Sequence, residues 1–110
     1  MKVFESAGRY SAPQGAENNH WIEHLRVPDL SVGTYSVVGG GSDDQSPHSE
    51  DEIYVVTSGS ARLMAGDTVA DVAPGSVVYV AAGEEHRFVD IADDFAVLVL
   101  FAPAEYSRST

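Results

Sequence analysis

The sequence predicts an all-β protein, a sandwich or barrel of short strands. Three observations predict it. Short segments rich in β-branched and aromatic residues recur along the 110-residue chain. Turns built from Gly, Pro or Asp separate them about every 8–10 residues. No segment carries a convincing helical period.

Taken in order, residues 1–19 read as an N-terminal arm. Lys2-Val3-Phe4 is a candidate short strand, followed by a small, polar, aperiodic stretch. His20 to Val27 (HWIEHLRV) is a strand candidate with mixed faces, stopped by Pro28-Asp29. Leu30 to Val38 is a clearer strand, ended by Gly39-Gly40-Gly41. A polar loop then leads into a strand from Glu52 to Thr57, closed by Ser58-Gly59. Ser60–Met64 and Thr68–Val72 flank Ala65-Gly66-Asp67 as a hairpin. Pro74-Gly75 turns the chain into Ser76–Val80, Gly83-Glu84 into Glu85–Val89, and Ala92-Asp93-Asp94 into Phe95–Phe101. Ala104 to Thr110 reads as a polar tail. The run FAVLVLF is apolar on both alternating faces, so its outer face needs a cover, either the N-terminal segment or a second subunit. A homodimer is the expectation this raises.

Composition excludes several classes of function. A chain of this length forms one domain, 1–110, with a single core. Six Lys and Arg against 17 Asp and Glu give a formal net charge of −11. That surface repels phosphate backbones and anionic lipid headgroups, so neither nucleic acid nor a membrane is expected as a partner. The absence of cysteine removes disulfides, thiolate metal sites and cysteine nucleophiles together. Met1 to Tyr10 contains no apolar run of the secretory kind, which leaves the cytoplasm as the expected setting.

Two stretches carry chemistry. The first, Gly40 to Gly59, places His48 and Glu52 four residues apart where a polar loop enters an apolar strand. Strand alternation puts Glu52 on one face with Tyr54 and Val56, an inward carboxylate on an apolar face. The second, Gly75 to Asp90, brings His86 to the root of another strand, sharing its face with Phe88. A buried carboxylate without a partner is costly, and a bound cation is one of the few ways to offset that cost. Two histidines and one carboxylate form the facial ligand set of non-haem iron sites, and Zn, Mn, Ni or Co accept it as well. Taken singly, His48 reads equally as a solvated loop histidine, Glu52 as an exposed acid and His86 as a hydrogen-bonded core histidine. His20 and His24 read as surface or interface residues. Tyr35, Trp21, Tyr54 and Phe88 read as core aromatics, with Tyr54 and Phe88 also placed to line a substrate pocket. The charges of Asp43, Asp44, Glu50 and Asp51 read as solvated loop.

The spacing Gly40-x5-Ser46-x-His48-x3-Glu52-x6-Gly59 resembles the first motif of the cupins at every position but one. Gly75-x5-Ala81-x-Gly83-x2-His86-x3-Asp90 resembles their second motif, with Ala81 for a proline and Asp90 for an asparagine. The resemblance implies a double-stranded β-helix, a small jelly-roll barrel. It implies a divalent transition metal held by His48 and His86 through Nε2 and by one Glu52 oxygen. The family's first histidine falls on Ser46, which removes one of four usual ligands. Water or substrate is expected in that place, with Asp44 as a neighbour able to swing in. Oxygenase, isomerase and lyase chemistry on small organic molecules all occur in the family. The resemblance thus implies a metal-dependent enzyme acting on a small molecule, or else a module that binds or senses one.

Overall fold

Strand alternation and register decide the layout of the chain. The computed structural model describes residues 1–108. It contains eight strands: β1 (Asn19–Val27), β2 (Leu30–Val37), β3 (Asp51–Ser58), β4 (Ala61–Ala65), β5 (Thr68–Val72), β6 (Val77–Val80), β7 (His86–Val89) and β8 (Phe95–Ala102). No helix occurs among the described residues. Lys2–Phe4 forms no strand, and Val3 and Phe4 remain exposed. Three residues with no sheet edge to pair with have no ladder to hold them.

Two antiparallel sheets pack face to face, a five-stranded sheet of order β1-β2-β8-β3-β6 and a three-stranded sheet of order β5-β4-β7. The two-sheet jelly roll follows from the pairing. The first motif's strand, β3, lies beside the last strand, β8, while the second motif's strand, β7, joins the other sheet through β4. Residues distant in sequence are thereby brought across one core.

Burial along β3 alternates, with Glu52, Tyr54 and Val56 inward. Their neighbours on β8 are Phe101, Val99 and Val97, and those on β2 include Tyr35 and Val37. Phe88 of β7 packs edge-on to Tyr54, with ring centroids 4.8 Å apart, and also meets Phe95 at 4.8 Å. This aromatic stack fills one end of the barrel, and burying each ring contributes roughly 2–3 kcal/mol. The other end of the same interior is where Glu52 and the two histidines converge.

The cover over β8 comes in part from the N-terminal arm. Gly8 N–H donates to Thr34 Oγ1 (2.8 Å) and Ser11 N–H to Ser36 Oγ (3.1 Å). The Thr57 hydroxyl donates to the Gly8 carbonyl. Ala96, on the outer face beneath this arm, is fully buried, while Leu98 and Leu100 farther along are half-buried. His24 lies at a bulge in β1 and pairs with Thr34 Oγ1 at 2.6 Å, on the outer face and away from the interior.

Candidate metal centre

Glu52 enters the barrel at the start of β3, where a polar loop becomes an apolar strand. It is 2 % exposed, and neither carboxylate oxygen receives a hydrogen bond. His86 opens β7 from the facing sheet, with Nε2 3.2 Å from Glu52 Oε1 but without the alignment of a hydrogen bond. His48 sits in the loop four residues before Glu52, buried, with Nδ1 3.8 Å from the same oxygen. One donor atom from each of the three lies within 4.8 Å of the others. The three residues singled out in the sequence are therefore brought together.

The hydrogen bonds around the rings determine which nitrogens are free. His86 Nδ1–H donates to the Glu84 carbonyl at 2.8 Å, which leaves Nε2 unprotonated. The Tyr54 hydroxyl donates to that nitrogen at 2.9 Å. Burial and the Glu52 carboxylate push the Tyr54 phenol well above its ordinary pKa, so it remains a donor. Burial by itself lowers the His86 pKa, but Glu52 and the Glu84 carbonyl outweigh it and the net shift is upward. His48 differs from the expectation of ligation through Nε2. Its Nε2 faces Glu105 Oε2 at 2.8 Å as an ion-pair contact, and its Nδ1 is the nitrogen turned toward Glu52. Nδ1 is buried and without a hydrogen-bond partner.

The orphaned atoms test whether a cation fits. Three buried polar atoms without partners, His48 Nδ1 and both Glu52 oxygens, converge on one point. Leaving one such group unsatisfied costs about 1–3 kcal/mol, and more when it is charged. A divalent ion is a common partner for two imidazole lone pairs and a carboxylate, and the donor set fits it.

Several side chains near the centre were not legible as part of it. Glu105 belongs to the segment read as a polar tail, yet it is buried against His48, with its own N–H on Ser31 Oγ (2.8 Å). Arg26 Nη1 holds the Glu105 carbonyl at 2.8 Å. Glu50 is buried, not solvated: it accepts from Tyr106 N–H (2.6 Å), Arg108 N–H (3.0 Å) and the Ser49 hydroxyl. Burial alone raises its pKa, but these donors outweigh burial and hold the carboxyl below its ordinary value. Asp43 is also buried. It accepts from Tyr35 O–H (2.8 Å), Phe88 N–H (2.9 Å) and Gln45 Nε2 (3.0 Å), tying the polar loop to both sheets. Asp44 stays exposed beside Asn19 Nδ2 (3.3 Å) and does not turn inward, and Ser46 is exposed on the rim.

Beside the centre lies a cavity of about 290 Å³. Its walls include Trp21, Phe101 and Tyr106, with His48, Glu52 and Glu105 at its polar side. Tyr54 and Phe88 are core residues behind the ligands and do not line it, although the Tyr54 hydroxyl reaches His86.

A two-sheet jelly roll with a buried His–Glu–His cluster drawn from the roots of its two motif strands defines a class, the small β-barrels of the cupin type. The cupin-domain family model matches residues 33–102, and the chain belongs to that family. It is 42 % identical over 105 residues to an uncharacterized protein of Streptomyces coelicolor, covering 96 % of this chain and 99 % of that one. Among solved structures it is similar to TT1209 from Thermus thermophilus (TM-score 0.74, 22 % identity, 94 % of this chain and 97 % of that one). It is also similar to a salicylate 1,2-dioxygenase mutant from Pseudoaminobacter salicylatoxidans in complex with gentisate (TM-score 0.73, 11 % identity, 82 % of this chain, 27 % of that one). At these identities the structural likeness speaks for the fold.

Proposed function

We propose that this cupin binds a divalent transition metal through His48 Nδ1, a Glu52 oxygen and His86 Nε2, and acts as a metal-dependent enzyme on a small organic molecule held in the adjoining cavity. The observation that carries this reading is the convergence of His48 Nδ1 and the two Glu52 oxygens, buried and without hydrogen-bond partners, with His86 Nε2 beside a cavity. A bound Fe, Mn, Ni, Zn or Co ion would supply Lewis acidity or O2 chemistry at its open positions.

The chain's own residues do the rest. Glu84 accepts from His86 Nδ1 and so sets the tautomer whose unprotonated Nε2 meets Tyr54 O–H, and Glu105 stands against His48 Nε2 at 2.8 Å with Nδ1 toward Glu52. Phe101 packs against the His48 ring at 4.6 Å and excludes water from one side of it. Tyr54 O–H is the nearest proton donor and stays protonated, so it serves to orient His86 and not as a base. The dioxygenase with the same fold acts on a ring-bearing substrate, and a small oxygen-bearing molecule suits the volume here.

Elemental analysis of untagged protein tests the reading, with His86→Ala and Glu52→Ala as controls. About one equivalent of metal in the native chain, lost in both variants, is the expected result. Substoichiometric metal unchanged by either variant overturns it. Oxygen uptake with a panel of small diketones, thiols and phenols then separates an oxygenase from a module that only binds its ligand. A homodimer is part of the same proposal. Val77 and Tyr79 are exposed on the edge strand β6, and Leu98 and Leu100 on β8 are only half covered. Light scattering on the eluted peak reads the mass directly.

A further inference from the structure

The cavity wall combines three aromatic rings with two carboxylates. Trp21 and Phe101 meet edge to face at 6.3 Å, and Tyr106 lies over the His48 ring at 5.3 Å. Glu52 and Glu105 face the same space, and among the described residues no lysine or arginine lines it. The cation nearest along the wall, Arg26, is turned away: its guanidinium is spent on the Glu105 carbonyl and on Glu23 at 2.6 Å. Both Glu52 oxygens are buried without a hydrogen-bond partner at the polar side of this space.

The ring of Tyr106 is held there on purpose-built backbone. Tyr106 has φ of 62°, the left-handed region that a bulky residue enters only under restraint. The restraint is visible: its N–H is fixed by the buried Glu50 carboxylate at 2.6 Å. Trp21 is also placed closely. It lies over Gly33, where a Cβ would come within 2.2 Å of the indole, so the absence of a side chain at that position lets the ring reach the mouth.

We infer that this cavity selects a small organic cation, an amine or quaternary ammonium, for its aromatic faces and carboxylates. The quadrupoles of Trp21, Tyr106 and Phe101 attract positive charge, most strongly when the site is desolvated. Glu105 supplies the counter-charge at the rim, and the acidic surface, formal net charge −11, draws cations toward the mouth. A carboxylate ligand of the same size meets the Glu105 carboxylate and, among the described residues, finds no lysine or arginine lining the space to answer it. The inference deepens the reading of the same cavity as the substrate site, yet it rests on the wall residues and not on the metal.

Choline tests it against two isosteres: the uncharged alcohol in which a tert-butyl group replaces trimethylammonium, and the corresponding carboxylate. Binding is read by calorimetry and by fluorescence of Trp21, the chain's one tryptophan, in zinc-loaded and in EDTA-treated protein. Choline is expected to bind at least about tenfold more tightly than the uncharged isostere in both forms, and more tightly still than the carboxylate. Trp21→Leu, at a partly exposed position, lowers choline affinity about tenfold, and Glu105→Gln lowers it several-fold. Tyr106→Leu serves if the Trp21 variant fails to fold. Equal binding of choline and its uncharged isostere, tighter binding of the carboxylate in either form, or wild-type choline affinity in the wall variants overturns the inference. Metal stoichiometry measured on the same samples keeps the two readings apart. Zinc bound without choline preference sinks the cation site alone, and choline preference without zinc sinks the metal centre alone.

Discussion

Replacing Glu52 by glutamine, nearly isosteric, should stabilise the metal-free protein at high pH and destroy its response to metal. In the native chain the carboxylate is 2 % exposed and neither oxygen accepts a hydrogen bond. Above the raised His86 pKa that ring is neutral and no longer offers Glu52 a charged partner. Removing the buried Glu52 charge should then recover about 2 kcal/mol. With an unfolding entropy of about 2.1 cal/mol/K per residue, 2 kcal/mol raises the melting temperature of a chain this size by about 9 °C. At low pH the sign should reverse. The folded-state pKa of His86 is raised, chiefly because Glu52 and Glu84 outweigh burial. Its charged form therefore stabilises the fold fully below the unfolded value of about 6.5, and that contribution is lost as pH rises through the folded pKa. In the variant this stabilisation is gone, so at about pH 5.5 Glu52→Gln should melt lower than the native chain. Metal adds a second contrast: at 100 times its dissociation constant it stabilises the native fold by about 2.7 kcal/mol and the variant by next to nothing. Thermal melts followed by circular dichroism at about pH 5.5 and pH 9, with EDTA or with zinc, read all of this. A variant that melts lower than native in EDTA at high pH, or keeps the native shift with zinc, would refute the picture of an orphaned carboxylate awaiting a cation.

Other outcomes follow from the same geometry. Metal affinity of the native chain should fall as pH drops through the raised His86 pKa, because the proton and the ion compete for Nε2; chelator competition across pH measures this, and a flat profile above about pH 6.5 counts against it. Glu105→Gln should weaken metal binding about 10–100-fold by loosening the tautomer of His48, while nitrogen-15 shifts of the zinc-loaded native protein should show His48 ligated through Nδ1 with Nε2 protonated. Glu50→Ala leaves the Tyr106 and Arg108 amides without their acceptor and should cost about 1–3 kcal/mol, read by urea titration. The lowered Glu50 pKa adds that its contribution is present above its unfolded pKa and is lost as pH falls through the lower folded value. Gly33→Ala should push Trp21 off the mouth, shifting its emission to the red, and lower the melting temperature as well, because the added Cβ would also lie 2.7 Å from the Ile22 carbonyl; unchanged emission would mean that the indole does not lie over that glycine.

Much of the architecture is local and so was readable from residues alone. Thr68–Val72 appears as a strand with the bounds its β-branched residues and flanking turns predict, and seven other strands fall within one or two residues of their turn signals. The inward direction of Glu52, Tyr54 and Val56 follows from period two, which the burial of β3 reproduces. His48, Glu52 and His86 were legible as a set because each stands at a strand root and because their spacing matches a two-part motif.

What tertiary structure alone decided is the company these residues keep. Asp43 and Glu50 look like loop charges in sequence, since nothing local marks the backbone amides and phenol that come to meet them from other strands. Glu105 sits in a stretch without periodicity, and only the return of the chain after β8, pinned by Glu50, Ser31 and Arg26, carries it to His48. That contact in turn decides which nitrogen of His48 is free. A sequence specifies donors through their spacing along one strand, and the Glu84 carbonyl two residues away sets the His86 tautomer locally, but the carboxylate that orients His48 comes from chain distant in sequence, and only folding brings it within reach.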